Sequence, residues 1–81
     1  MRVQFSTQFE RDYARVPAFV QKAFDKKISF LIQDLRHPSL RAKKYDERRD
    51  IWQARVTKGY RFYFRIDSDT YRIISITEHP K

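Results

Sequence analysis

Two arginines and a histidine are the residues of this chain best placed, by type and spacing, to do chemistry: Arg55, Arg61 and His79. The arginines lie in Ile51–Arg65, IWQARVTKGYRFYFR, which alternates apolar and polar residues on both sides of the only glycine, Gly59. That pattern predicts a β-hairpin with one apolar and one cationic face. A three-residue loop, Thr57-Lys58-Gly59 with Gly59 left-handed, pairs Trp52 with Phe64, Ala54 with Phe62 and Val56 with Tyr60, so every core pair is apolar. The same register sets Arg55 directly opposite Arg61. Like charges so placed destabilise a sheet, whereas an opposite-charge pair contributes roughly 0.2–1 kcal/mol. The pairing therefore points to an anion that both guanidinium groups share. The alternative is that both serve the fold, bonded to carbonyls or to Glu78.

A last strand, Thr70–Thr77, is expected to turn Ile74 and Ile76 to the core against Phe64 and Phe62. Arg61 then faces Thr77, Tyr63 faces Ser75, and His79 falls near the arginine pair. Guanidinium forks bind phosphate oxygens, a tyrosine can stack on an unpaired base, and a histidine transfers protons near neutrality. Together these suit the attack of an RNA 2′-hydroxyl on its own phosphodiester, with the arginines stabilising the charge that develops.

The remaining elements must position this face. Arg2–Phe5 reads as a short strand. Thr7 and Glu10 have capping-box spacing, and Phe9, Tyr13 and Val16 form the apolar stripe of a first helix. Pro17 ends that helix and can open a second as its first residue, running to Leu35 or Arg36 with the stripe Val20, Phe24, Ile28, Leu31 and Leu35, widened by Phe19, Ala23 and Ile32. His37-Pro38-Ser39 stops it. Leu40–Asp50 reads as a solvated connection of mixed charge, pinned by Leu40 and Tyr45 and carrying Lys43 and Lys44 toward the cationic face. Asp67-Ser68-Asp69 reads as a turn. The expectation is one α+β domain, 1–81: a short N-terminal strand, an antiparallel helical hairpin, then a three-stranded antiparallel sheet packed on the helices.

The composition excludes several functions. Eighteen basic against ten acidic residues give a net charge of +8, a field that favours a polyanionic partner. With no cysteine and two distant histidines, neither a disulfide framework nor a metal site is expected. One glycine rules out a Gly-rich phosphate loop. No apolar run is long enough to span a membrane and no signal peptide is visible, so a cytoplasmic protein without a membrane partner is expected.

The helical hairpin followed by HPSLRAKK, IWQARVTKGYRFYF and IISITEHPK resembles the RelE/ParE superfamily of bacterial toxins over essentially the whole chain. The resemblance implies a RelE-like, microbial-ribonuclease-type fold and the toxin of a two-component, type II toxin–antitoxin module with a cognate antitoxin. RelE-like members cut messenger RNA on the ribosome without a metal or small-molecule cofactor, whereas ParE-like members inhibit DNA gyrase. By resemblance, Arg61 matches the arginine that stabilises the scissile phosphate and Arg55 a usually basic position. His79 falls where the nucleases carry arginine or histidine, and Gln53 where some carry lysine. Lys43 and Lys44 match the basic segment before the hairpin, and Lys44 joins Arg55, Arg61 and His79 in the candidate catalytic set. Arg41, Lys43, Gln53, Lys58, Tyr63 and Lys81 are the candidates for gripping RNA or ribosome. The tyrosine that several nucleases carry after the last strand is missing here. The ribosome-dependent mRNA endonuclease is the expectation; the rivals are a gyrase inhibitor and a non-toxic RNA-binding module.

Overall fold

The computed structural model describes residues 1–79. In chain order the elements are β1 (Arg2–Phe5), α1 (Thr7–Arg15), α2 (Ala18–Gln33), a 3-10 turn (Pro38–Leu40), β2 (Lys43–Asp46), β3 (Ile51–Thr57), β4 (Tyr60–Asp67) and β5 (Thr70–Glu78). They build one five-stranded sheet in the order β1-β5-β4-β3-β2, with β1 parallel to β5 and the other pairs antiparallel. The α+β class and the helices-on-sheet layering are as expected. The sheet has five strands rather than three, because β1 pairs with β5 and because part of the expected connection, Lys43–Asp46, is the edge strand β2.

One face of the sheet meets the helices. Phe24 of α2 is buried and lies edge-on to Phe62 at 5.1 Å, with Phe9 of α1 against it at 4.9 Å. Val20, Leu31, Leu40, Val56, Phe64, Ile73 and Ile76 complete the buried centre. Val20, Phe24 and Leu31 recur on one helical stripe, as amphipathic packing requires. Phe19 and Ile32, expected to widen that stripe, are exposed. Trp52 is only half-buried, since it lies toward the β2 edge where the helices give less cover.

Local departures from the expected boundaries have tertiary causes. Ser6, not Thr7, caps α1: its Oγ accepts from Phe9 N at 2.9 Å. Ser6 is preferred because its backbone N–H donates to Ile73 O at 2.9 Å and its hydroxyl to Ile74 O at 2.6 Å, so one residue ends β1 and starts α1. Pro17 is the cap of α2 rather than its first residue, and its carbonyl accepts from Val20 and Gln21. The helix stops at Gln33, before Leu35, because Asp34 turns extended and its carboxylate takes the Arg36 N–H.

Three register shifts complete the sheet. At Val56 the β3–β4 register jumps from Arg55↔Arg61 to Thr57↔Tyr60, so Val56 does not pair with Tyr60. This bulge keeps both apolar sides inward across a two-residue turn, Lys58-Gly59, and Gly59 has no positive φ as a result. A second shift, at Ile74, pairs Phe64 with Ile73 rather than Ile74. Ile73 is therefore the buried residue and Ile74 is half-buried. A third lies at Tyr45, whose ring is on the same face as Lys43, away from the helices, where it is 60% exposed and meets Tyr63 at 4.9 Å instead of pinning the connection.

Candidate anion-binding site

The face of the sheet away from the helices carries the candidate site at its hairpin end. Arg55↔Arg61, Gln53↔Tyr63, Arg61↔Thr77 and Tyr63↔Ser75 are direct cross-strand neighbours, as the sequence pattern predicts. Beyond β3, Lys43 of β2 is the partner of Gln53. At the far end of β5 the His79 N–H donates to Gly59 O at 2.7 Å, which ties the chain end to the hairpin turn. Arg41, Lys43, Gln53, Arg55, Arg61 and His79 line one concavity of about 210 Å³, several times the ~30 Å³ that a water occupies.

Charge and hydrogen bonding within this concavity are unbalanced. Among the described residues no carboxylate lines it. Among the described residues, Arg55 Nε is the one buried side-chain polar atom without a hydrogen-bond partner. A buried unpaired donor costs about 1–3 kcal/mol, and on a charged group next to another guanidinium it marks a place for an acceptor the protein does not supply. Arg61 is held differently. Its Nη1 donates to the carbonyls of Thr57 at 2.7 Å, Tyr60 at 2.9 Å and Lys58 at 3.2 Å. The fold-serving alternative thus holds for one nitrogen of Arg61; Nε and Nη2 have no protein acceptor among the described residues. The turn clamps the guanidinium at a fixed place, which removes rotamer freedom that an anion would otherwise have to restrict.

Electrostatics report the same crowding. The pKa of Arg61 is lowered, first by burial, then by the Arg55 charge; Tyr63 opposes this, and Arg41 adds the smallest contribution. Lys27 of α2 is lowered by burial, then by Arg55, Lys26 and Arg41, while its Nζ donates to Ser39 O at 2.9 Å. Sequence pattern gave no sign of Lys27, since nothing in helical spacing links it to residues on β3. Arg41 holds a left-handed backbone, φ 48° and ψ 43°, directly after the 3-10 turn. A non-glycine residue there is strained, as functional residues often are.

One candidate catalytic residue is not brought to this site. Lys44 is the cross-strand partner of Trp52, so it lies on the helix-side face. It pairs with Asp50 and sits 5.0 Å from the Trp52 ring centre, and the hydrogen bond to Asp50 raises its pKa. Alternation along β2 is the reason: of two adjacent lysines only Lys43 can share a face with Arg55. Lys81 lies outside the described residues. Lys58 is exposed at the turn and contributes its carbonyl to Arg61. His37 stacks on Phe30 at 4.0 Å with Nδ1 accepting from Ser39 N, a turn residue remote from the arginines in pattern and role. Among the described residues no group of three His, Asp or Glu could hold a metal, and no helix is long and apolar enough to cross a membrane.

The profile of the ParE toxin family of type II toxin–antitoxin systems, parDE, matches residues 3–80. Among curated proteins no sequence matches. Solved structures share the fold. A YoeB/ParE toxin from Agrobacterium tumefaciens superposes with a TM-score of 0.82 at 16% identity, covering 99% of this chain and 100% of that one. YoeB of a dimer from Staphylococcus aureus gives 0.81 at 15%, covering 99% and 98%. An archaeal RelE–RelB complex from Pyrococcus horikoshii gives 0.78 at 16%, covering 95% and 92%.

Proposed function

Because the chain belongs to the ParE toxin family of type II toxin–antitoxin systems, we propose that it is a toxin that arrests translation by cutting messenger RNA on the ribosome. One observation carries this reading: the buried, unpartnered Arg55 Nε beside a turn-clamped Arg61, in a concavity that no carboxylate of the described residues lines. A phosphodiester is the anion such a pair fits. Arg55 and Arg61 bind the non-bridging oxygens and stabilise the added charge of the pentacoordinate transition state. The ribose 2′-oxygen attacks the adjacent phosphorus and the bond to the 5′-oxygen breaks. The 2′-hydroxyl proton leaves and the departing 5′-oxygen gains one; His79, at the rim, is the group assigned to these transfers. The products are a 2′,3′-cyclic phosphate and a 5′-hydroxyl, and all parts of the step are supplied by RNA and protein side chains.

Lys43, Arg41 and Gln53 hold the strand, with Lys27 adding positive potential. Lys44 is not assigned a catalytic role, given its partners on the opposite face. A cognate antitoxin is proposed as the partner, since solved RelE and YoeB relatives are complexes with RelB or YefM. The ribosome places the reaction in the cytoplasm.

A second reading has its own support: the matching family is named for ParE. In that reading the cationic face binds gyrase and cuts nothing. Parallel assays separate the two. Purified protein added to a translation reaction gives discrete mRNA cuts and leaves gyrase supercoiling intact under the first reading; intact mRNA with blocked supercoiling establishes the second.

A further inference from the structure

A second cross-strand arginine pair lies further along the same face. Arg65 of β4 is the direct partner of Arg72 of β5, and Arg72 is in turn the partner of Gln4 of β1. Arg61, Tyr63 and Arg65 alternate on β4, so both arginine pairs and the tyrosine between them share one side of the sheet. From Arg61 to Arg65 is four residues, about 13–14 Å of antiparallel strand.

A trough between the pairs is lined by Tyr45, Tyr63, Ile51, Ile74, Ser75 and Thr77, with Glu78 among them. Ile74 also borders the next depression, which holds Arg65, Arg72 and Gln4. The second pair is only partly engaged. Arg65 Nε donates to Arg49 O at 3.1 Å and Arg72 Nε meets Asp67 at 2.8 Å, both through exposed side chains. Tyr45 stands 60% exposed in the trough, its ring braced edge-on by Tyr63. Alternation along β2 puts Tyr45 on the same side as Lys43, and the bulge takes it out of the ladder with β3.

Cations at both ends, with an aromatic platform between, are the two ingredients of single-strand recognition: a charged track for the backbone and a π-face for a base. We propose that this trough is a track for single-stranded RNA. The Arg65–Arg72 pair is a second phosphate subsite, about two nucleotides from the Arg55–Arg61 site, and Tyr45 is the platform for an intervening base. The proposal rests on the reading of Arg55–Arg61 as the scissile-phosphate site and adds the path that the strand takes away from it.

The test uses fluorescein-labelled oligouridylates with the full chain, by anisotropy across a salt series. A dinucleotide reaches only the first site; an octanucleotide reaches both. Each phosphate contact on a single strand contributes about 0.7 to the slope of log K against log salt. Replacing Arg65 and Arg72 together with Gln lowers the octanucleotide slope by about 0.7–1.4 and leaves dinucleotide binding unchanged. Tyr45→Ala, on an exposed edge strand, weakens the octanucleotide roughly tenfold with its slope retained. An unchanged octanucleotide slope in the double variant, with binding lost in Arg55→Met, overturns the track and leaves the first site standing. Octanucleotide binding that is absent in the wild-type chain at low salt, or indifferent to Arg55→Met, overturns both.

Discussion

Arg55→Met should make the protein more stable and inactive at once. Met keeps most of the aliphatic length of arginine and removes the guanidinium. Two unfavourable contributions disappear: the buried Nε without a partner, worth about 1–3 kcal/mol, and the direct opposition to Arg61, worth roughly 0.2–1 kcal/mol. Whatever the remaining guanidinium nitrogens gain from solvent offsets part of this, leaving a net gain of about 1–2 kcal/mol. For a domain of this size that corresponds to a rise in Tm of about 5–10 °C. Circular dichroism melting at low and high salt checks it. The like-charge part of the gain shrinks with salt and the desolvation part does not, because only the first is screened. Arg61→Met is the contrast. It relieves the same repulsion but strips three turn carbonyls of their donor, so it melts at or below wild type. If Arg55→Met melts no higher than wild type, the guanidinium is serving the fold and the argument from its unpartnered Nε fails.

Further substitutions test the sheet and its charges. Ile73→Ala, at a fully buried position, should cost about 2–5 kcal/mol in urea unfolding and Ile74→Ala far less, the reverse of what unbroken alternation predicts. Gly59→Ala should be tolerated, with a gain of about 0.4–1 kcal/mol, since Gly59 has no positive φ and an added Cβ meets nothing within 4 Å; a loss of stability would show that the turn needs glycine. For pH, the folded state depresses the pKa of Lys27, so between that lowered value and the unfolded one near 10.4 the unfolded chain binds more protons and stability rises with pH. Wild type minus Lys27→Met, measured by urea unfolding from pH 8 toward 10, isolates that positive slope; a flat difference would refute the charge crowding.

How much of this was legible beforehand depends on which interactions set each feature. The hairpin faces, the Arg55–Arg61 pairing and the partners Thr77 and Ser75 follow from period-two alternation around Gly59, a local signal. The bulges at Tyr45, Val56 and Ile74 do not, because single extra residues leave the apolar count intact while shifting which side chain is inside. Ile74 was expected in the core because alternation counted back from Ile76 reaches it. The bulge turns Ile73 inward instead, and Ser6 takes the displaced carbonyls. Lys43 and Lys44 read as one basic segment, with Lys44 in the catalytic set and Lys43 among the RNA grips; only the existence of β2, a strand of mixed charge without an apolar stripe, shows that Lys43 is the one on the Arg55 face. Arg65 and Arg72 gave no signal as a pair, since their neighbourhood depends on the β4–β5 register beyond the bulge. Family membership was legible from W-x-A-R-V, the G-Y-R turn and the terminal H-P-K, and the matching profile agrees.

The end groups of mRNA recovered from a translation reaction test the central claim most directly. If the arginine pair holds a scissile phosphodiester, added protein yields cuts whose upstream fragments end in 2′,3′-cyclic phosphate and whose downstream fragments begin with 5′-hydroxyl, and Arg55→Met, folded and more stable, yields none. Uncut mRNA with the wild-type protein, or cuts that persist in Arg55→Met, would contradict the account.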